Sequence, residues 1–188
     1  VAELVPKVIA WAKGPLTGVF KGCLDAPRLA LHEADVNRLI QAGPDRYDAI
    51  LLDVDNGPEG LMRRSNDRLY DNWGLKRARW ALRPGGILGV EQHRLSPAED
   101  QDPVAANGYV QEAFVRQLAE EAGFQFVAGS EINANEKDTK DHPFGVDTLP
   151  PVRLTAPAGQ PPDPEFDRTP YDAIGESDRM TLKFRKPE

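Results

Sequence analysis

The run Ala49-Ile50-Leu51-Leu52 constrains this chain more than any other stretch. Four apolar residues without a polar break, closed by Asp53 and then Asp55-Asn56-Gly57-Pro58, match a parallel strand buried on both faces. Such a strand delivers an acid to a ligand crevice at its carboxyl end. Leu69 to Leu82 then reads as a helix with Leu69, Trp73, Ala78, Trp80 and Leu82 as its apolar stripe and Lys76, Arg77 and Arg79 in solvent. Arg83-Pro84-Gly85-Gly86 is expected to stop that helix, and Ile87 to Val90 to form the next strand. Strand, crossover helix and strand make one βαβ unit with parallel strands.

The flanking stretches repeat the alternation. Val1 to Leu4 reads as a strand end, and Pro6 opens a helix whose apolar side is Val8, Ile9, Trp11 and Ala12, stopped by Gly14-Pro15. Leu29 to His32 is expected to be a short strand ending in Glu33-Ala34-Asp35, and Val36, Leu39 and Ile40 a short helix broken at Gly43-Pro44. After a polar loop over Leu95 to Asn107 comes a helix over Tyr109 to Ala122, closed by Gly123. Phe124 to Val127 and Met180 to Arg185 are the remaining strands. The alternation predicts a sheet covered on both faces. Seven prolines from Pro150 to Pro170 argue against regular structure in the second half of 132–171, so that segment is expected to be a functional lid or a partly disordered loop.

Composition narrows the partners. A formal net charge of -7 offers no basic field for nucleic acid or an anionic membrane, so a small-molecule acceptor is expected, with neither of those two. Cys23 is the only cysteine, which excludes an internal disulfide and a thiolate metal cluster, and no metal is expected. No apolar run reaches spanning length and the first residues do not look like a signal peptide, so the cytoplasm is the expected compartment. A homo-oligomer is left open.

Three acids fall at or just after strand ends: Glu3, Asp35 and Asp53. In a doubly wound sheet these positions line one crevice, where a carboxylate accepts hydrogen bonds from ribose hydroxyls. Asp35 also suits the N-cap of the helix starting at Val36, and both readings stand. His93, beside Glu91 and Gln92 at a strand end, is either a general base toward an acceptor or a hydrogen-bonded histidine. Asn133, Asn135, Asp138, Asp141 and His142 are ligand-type side chains, but their spacing fits no metal motif and Asx-rich loops use them for their own turns. Asp55, Tyr109, Asn133 and Asn135 are the candidates for the substrate side. Ser177-Asp178-Arg179 is expected to be a turn with a local ion pair, His32 a packed residue, and Lys137 to Lys140 a solvated face.

VAELVPKVIAWAKGPL, LHEADV, RYDAILLDVDNGPEGL, NDRLYDNWGL and ALRPGGILGV together resemble the spermidine synthase-like proteins, which share the class I S-adenosylmethionine-dependent methyltransferase fold. The likeness covers residues 1–90. It implies that Glu3 holds the ribose hydroxyls, that Asp35 and Val36 flank the adenine, and that Asp53 matches the acid that orients or deprotonates the attacking amine. True polyamine synthases follow that acid with a Ser-Ser-Asp-Pro type run, whereas this chain has Val54-Asp55-Asn56-Gly57-Pro58. From 91 to 188, GVEQHR, the stretch from NGYVQEAFVRQL to DTLPP, and YDAIGESDRMTLKFRKP are similar to a poorly characterised bacterial family of class I methyltransferases. The two likenesses meet near Pro84 to Val90, through natural divergence, recombination or design.

The resemblance implies an α/β, Rossmann-like fold in one domain over 1–188, with a mostly parallel sheet and an antiparallel C-terminal strand. S-adenosylmethionine would be the cofactor, with Glu3, Asp35, Val36 and Asp53 on its side and Asp53 and His93 handling the proton. The expected reaction is methyl transfer to a small molecule. Aminopropyl transfer, using Asp53, Asp55 and Glu59 for a polyamine, and a non-catalytic scaffold or chimera of the same fold are the alternatives. Both families place a strand and a glycine-rich loop ahead of the segment that begins at Val1, and no G-x-G-x-x-G occurs anywhere in this sequence. Losing a mid-sheet strand forfeits on the order of 10 kcal/mol of apolar burial, comparable to the stability of a whole domain. The strands ending at Glu3 and Asp53 are therefore expected to pair directly, or another chain to fill the gap, and cofactor binding is expected to be weak.

Overall fold

The computed structural model describes residues 1–52, 69 and 71–188. The chain divides into two compact units, Val1–Pro44 and Asp45–Glu188. In the first unit, β1 (Ala2–Glu3) pairs in parallel with β2 (His32–Glu33), Glu3 opposite Glu33. Proline at the first turn starts α1 (Pro6–Lys13), Gly14 ends it, and α2 (Thr17–Phe20) follows. Asp35 caps α3 (Val36–Ile40), its Oδ1 accepting the N–H of Asn37 at 2.8 Å. Ala12 and Ile40 are buried, whereas Val8 and Trp11 are exposed, against the expected apolar side of α1. The second strand is shorter and later than expected because the chain is still turning at Leu29, whose N–H bonds the carbonyl of Ala26. His32 is exposed rather than packed.

The second unit carries a four-stranded sheet in the order β3–β4–β6–β5: β3 (Tyr47–Leu52), β4 (Leu82–His93), β5 (Gln125–Ser130) and β6 (Arg179–Arg185). β3 and β4 are parallel, and β6 runs antiparallel to both β4 and β5. This is the mixed, Rossmann-like sheet with a parallel core and an antiparallel C-terminal strand that the pattern predicts. The crossover from β3 to β4 ends in α4 (Asn72–Ala81); α5 (Glu112–Glu121) and α6 (Thr169–Ile174) complete the helices described in this unit. β1 bonds to β2 and β3 to β4 in separate sheets, so the direct pairing expected of the strands ending at Glu3 and Asp53 is not found among the described residues.

Alternation along the strands builds one buried face. Ile50 and Leu52 of β3, Leu88, Val90 and Gln92 of β4, and Met180, Leu182 and Phe184 of β6 are all buried. α4 and α5 lie over this face, with Leu75, Val90, Gln92, Val110 and Phe114 around one shared cleft. Leu51, on the opposite face, is 77% exposed. β3 is therefore not the doubly buried strand that its apolar run predicts, since it stands at the sheet edge with helices over one side.

Three further boundaries differ from the pattern. The Arg83 to Gly86 stretch lies within β4 as a bulge: Tyr47 pairs Leu82 and Ala49 pairs Ile87, so two steps on β3 match five on β4. Of the stripe expected for α4, Leu69, Ala78 and Leu82 are buried, but both tryptophans turn outward and Gly74, Leu75 and Ala81 fill the buried side instead. Tyr109 and Val110 stay extended because Val110 donates to the carbonyl of His93 and accepts from the N–H of Leu95, continuing the sheet past β4. Gln111 then caps α5.

The proline-rich segment is built into the unit. Rings run through it in sequence: Tyr109–His142 at 6.4 Å, His142–Tyr171 at 5.7 Å, then Tyr171–Phe166 and Phe166–Phe144 both at 5.4 Å. A short 3-10 turn, Gly145–Thr148, is fully buried beside them. Gly145 has φ +57 and a Cβ there would stand 2.2 Å from the carbonyl oxygen of Asn107, so only glycine fits. Gly159 shares the positive φ (+80) with open space around it. Gly159→Ala is expected to cost about 1–2 kcal/mol for the backbone alone, and Gly145→Ala at least about 2 kcal/mol more for the backbone clash. Urea unfolding of both variants checks this; equal losses would contradict it.

Candidate functional site

The carboxyl end of β4 collects the polar side chains of the second unit. Gln92 is buried and its Oε1 accepts the N–H of His93 at 2.7 Å. The Nδ1 of His93 lies 2.5 Å from Ser177 Oγ. Beyond the strand, Arg94 donates to both oxygens of Asp178, at 3.1 and 2.9 Å, and to Glu131 at 2.7 Å. Arg179, paired with His93 across the β4–β6 register, reaches Glu91 at 3.1 Å and Glu176 at 3.1 Å. Ser177 and Asp178 are buried and tie the end of β6 to β4 over a long sequence separation, so they are not a local surface turn.

Asp138 sits under this edge with a side chain 0% exposed. Its carboxylate accepts the hydroxyl of Tyr109 (3.1 Å to each oxygen), the N–H of Asp178 (2.8 Å) and the N–H of Lys140 (2.9 Å), and lies 2.8 Å from His142 Nε2. The Asp138 to Lys140 turn puts Lys140 at φ +67, which returns its N–H to the carboxylate and sends Nζ to Asp178 at 3.1 Å. The expected solvated face at Lys137 to Lys140 holds for Lys137 and Thr139, which are exposed, whereas Asp138 is a buried carboxylate and Lys140 is mostly covered. A buried charge without partners is expensive, which is why so many donors converge here.

The environment shifts the titrating groups in different directions. Burial, then the charge of Arg179, pulls His93 down to about 4 against an opposing pull from Asp138, so the ring is neutral near pH 7. Burial, then the Asp138 charge and its hydrogen bond, pushes the Tyr109 phenol well above its ordinary value. Burial would raise Asp178, but hydrogen bonds from Arg94, the N–H of Asn135 and Lys140 outweigh it and hold that carboxyl low. Those bonds from Asp178 and Glu131 in turn raise Arg94.

The predicted site residues separate into groups. Asp53 and Asp55 lie outside the described residues. Glu3 and Asp35 fall at the carboxyl ends of the adjacent parallel strands β1 and β2. Each spends one oxygen on its own backbone, Glu3 Oε1 on the N–H of Val5 (2.7 Å) and Asp35 Oδ1 on that of Asn37; Val36 begins the helix behind them. Tyr109 is completely buried with its hydroxyl committed to Asp138. Asn133 Nδ2 donates to Glu91 (2.9 Å) and Thr181 (3.0 Å), and Asn135 Nδ2 to the carbonyls of Ile174 (3.1 Å) and Glu176 (2.6 Å). These two asparagines fasten the segment after β5 to β6 and the residues preceding it. Among the described residues no group of three or more His, Cys, Asp or Glu could hold a metal ion, and no helix is long and apolar enough to cross a membrane.

Ser177, Asp178, Lys140 and Arg94 escape sequence reasoning, because each meets its partner through a fold-level contact. The one local signal is the Asp138/His142 pair, four residues apart. The cleft between α4, β4 and α5 holds about 40 Å³ and is lined by apolar side chains and Gln92. That is room for a water or a methyl group, not for a nucleoside.

No family model and no curated protein matches the chain. Solved structures do. The (4+2)-cyclase SpnF is 15% identical with a TM-score of 0.51 over 99% of this chain and 64% of its own. The 1,6-didemethyltoxoflavin-N1-methyltransferase of Burkholderia thailandensis, with bound S-adenosylhomocysteine, is 16% identical with a TM-score of 0.50 over 100% of this chain and 60% of its own. A SAM-dependent methyltransferase from Archaeoglobus fulgidus is 11% identical with a TM-score of 0.50 over 98% and 74%. The chain thus has the fold of class I S-adenosylmethionine-dependent methyltransferases, and it spans less than two thirds of the length of the first two proteins.

A histidine held down at about 4 leaves the unfolded chain binding more protons between that value and 6.5, so stability rises with pH through this window. The contribution is complete above pH 6.5 and is lost as pH falls toward 4, on the order of 3 kcal/mol in all. Denaturant unfolding from pH 4 to pH 7 should show this slope in the wild type and a shallower one in His93→Gln. Identical slopes would assign the acid sensitivity elsewhere.

Proposed function

We propose that the chain is an S-adenosylmethionine-dependent methyltransferase acting on a small-molecule acceptor, and that residues 1–188 taken alone, with no glycine-rich loop among them, bind the cofactor weakly. The observation that carries this reading is the likeness in fold to solved methyltransferases. The residues fit one end of the cofactor. Glu3 Oε2 and Asp35 Oδ2 make no hydrogen bond among the described residues, which leaves a carboxylate oxygen on each of two neighbouring strand ends for ribose hydroxyls. Val36 is proposed as the apolar contact beside an adenine; Asp53, a further proposed cofactor residue, lies outside the described residues. We take residues 1–188 as one methyltransferase-like domain.

When bound, S-adenosylmethionine supplies a sulfonium methyl group that an acceptor nucleophile displaces in line. The protein's share is positioning and the acceptor's proton. Asp53 and His93 are the proposed acceptors of that proton. His93 is neutral at pH 7, and in the tautomer whose Nδ1–H donates to Ser177 Oγ its Nε2 is the acceptor. Asp55, Asn133 and Asn135 are placed on the substrate side, with Asn133 and Asn135 acting through the wall they build; Tyr109 supports that wall from beneath.

A second reading is favoured by the self-satisfaction of the polar edge: a non-catalytic protein that keeps the fold. Asp35 caps its own helix, and the asparagines and Asp138 are bonded within the chain. Aminopropyl transfer is the third, through Asp53, Asp55 and Glu59. Calorimetric titration with S-adenosylhomocysteine separates these. Methyl transfer with a reduced site predicts a dissociation constant on the order of 1 mM, abolished in Glu3→Ala. Micromolar binding would overturn the claim of weak binding. No binding by a chain that melts cooperatively would favour the scaffold, and product from decarboxylated cofactor with putrescine would favour aminopropyl transfer.

A further inference from the structure

Two of the three tryptophans of this chain face solvent on one helix, and a guanidinium lies between them. Trp73 is 48% and Trp80 40% exposed on α4. The Arg77 guanidinium carbon stands 4.5 Å from the Trp73 ring centroid and 5.8 Å from that of Trp80. The spacing explains this: positions 73, 77 and 80 are i, i+4 and i+7 on one stripe, opposite the buried Gly74, Leu75, Ala78 and Ala81. Lys76 is exposed on the same side. α4 contains three cations and no acid, in a chain with 30 acidic and 23 basic residues. Among the described residues neither Arg77 nor Lys76 has an ion-pair partner, whereas Arg83, just beyond, is paired with Asp48.

We propose that this Trp73-Arg77-Trp80 face is a docking surface for an acidic segment of a partner protein. Trp73 and Trp80 leave 48% and 40% of their surface in solvent, and tryptophan and arginine are the residues that most often anchor protein interfaces. Stacking uses the faces of the guanidinium and leaves its N–H edge for a carboxylate, so the two indoles hold the arginine ready for a bidentate partner. The charge argues for a carboxylate-bearing peptide. A second copy docked through the same face by a two-fold axis would set Arg77 and Lys76 against their own equivalents. A nucleic acid or an anionic bilayer needs a broader cationic field than two unpaired cations on a protein of net charge -7. The inference is independent of the catalytic reading.

The test uses the full chain with Trp11→Phe, so that tryptophan emission reports Trp73 and Trp80 alone, titrated with a synthetic peptide of repeated Glu-Glu-Leu. A saturable emission shift that weakens with salt is expected, with affinity falling about tenfold or more in Arg77→Glu and in Trp73→Ala. Lys76→Glu, at an exposed position, provides a second charge reversal should Arg77→Glu melt early; it too should weaken binding severalfold. No saturable shift, an affinity unchanged by both reversals, or stronger response to single-stranded DNA or phosphatidylserine vesicles would overturn the proposal. So would concentration-dependent dimerisation that Arg77→Glu abolishes, since it would make a second copy the occupant.

Discussion

A carboxylate with no access to water dictates the architecture around the end of β4. Asp138 is tolerable in that position only because three chain segments bring it four partners: Tyr109 after β4, Lys140 and His142 from its own turn, and Asp178 ahead of β6. Removing any of these leaves a buried charge short of partners, and the cost is far larger than that of one surface hydrogen bond. The knot therefore converts a stretch with little regular secondary structure into a fixed wall. Beside it, burial and the charge of Arg179 keep His93 neutral against the opposing pull of Asp138.

The mixed sheet is the part of the fold that the sequence carries most plainly. Alternation in Met180 to Arg185 and the apolar run at Ala49 to Leu52 are period-two signals, and both become strands. Burial is less legible, because it depends on what covers each face. Leu51 and Trp80 have the same hydrophobicity whether a helix lies over them or not, and both end up exposed. Pro84-Gly85-Gly86 carries the strongest local turn chemistry in the chain, yet β4 absorbs it as a bulge because β3 supplies pairing on either side. Tyr109 fits a helical period, but its neighbour Val110 is claimed by His93 and Leu95. In each case a nonlocal hydrogen bond overrides the local preference.

The candidate site divides along the same line. Acids after strand ends are visible in sequence, and Glu3 and Asp35 do fall on neighbouring strand ends. Asp35 also fulfils the capping role that the same residue type offers, one oxygen serving the helix. Nothing in the spacing of Ser177, Lys140 or Arg94 announces the network they join, since their partners come from up to 84 residues away. The methionine end of a cofactor has no glycine-rich cradle in this sequence, so the reading rests on the ribose end and on the fold.

The central claim is that the Asp138 carboxylate holds the segment after β5 and the residues before β6 against the end of β4 as one cooperative unit. Amide hydrogen exchange in Asp138→Ala tests it most directly. The account predicts that protection falls together across 131–149 and 174–178 while the β4 amides at 87–91 keep theirs. Faster exchange confined to the turn at 138–142, or none at all, would contradict it.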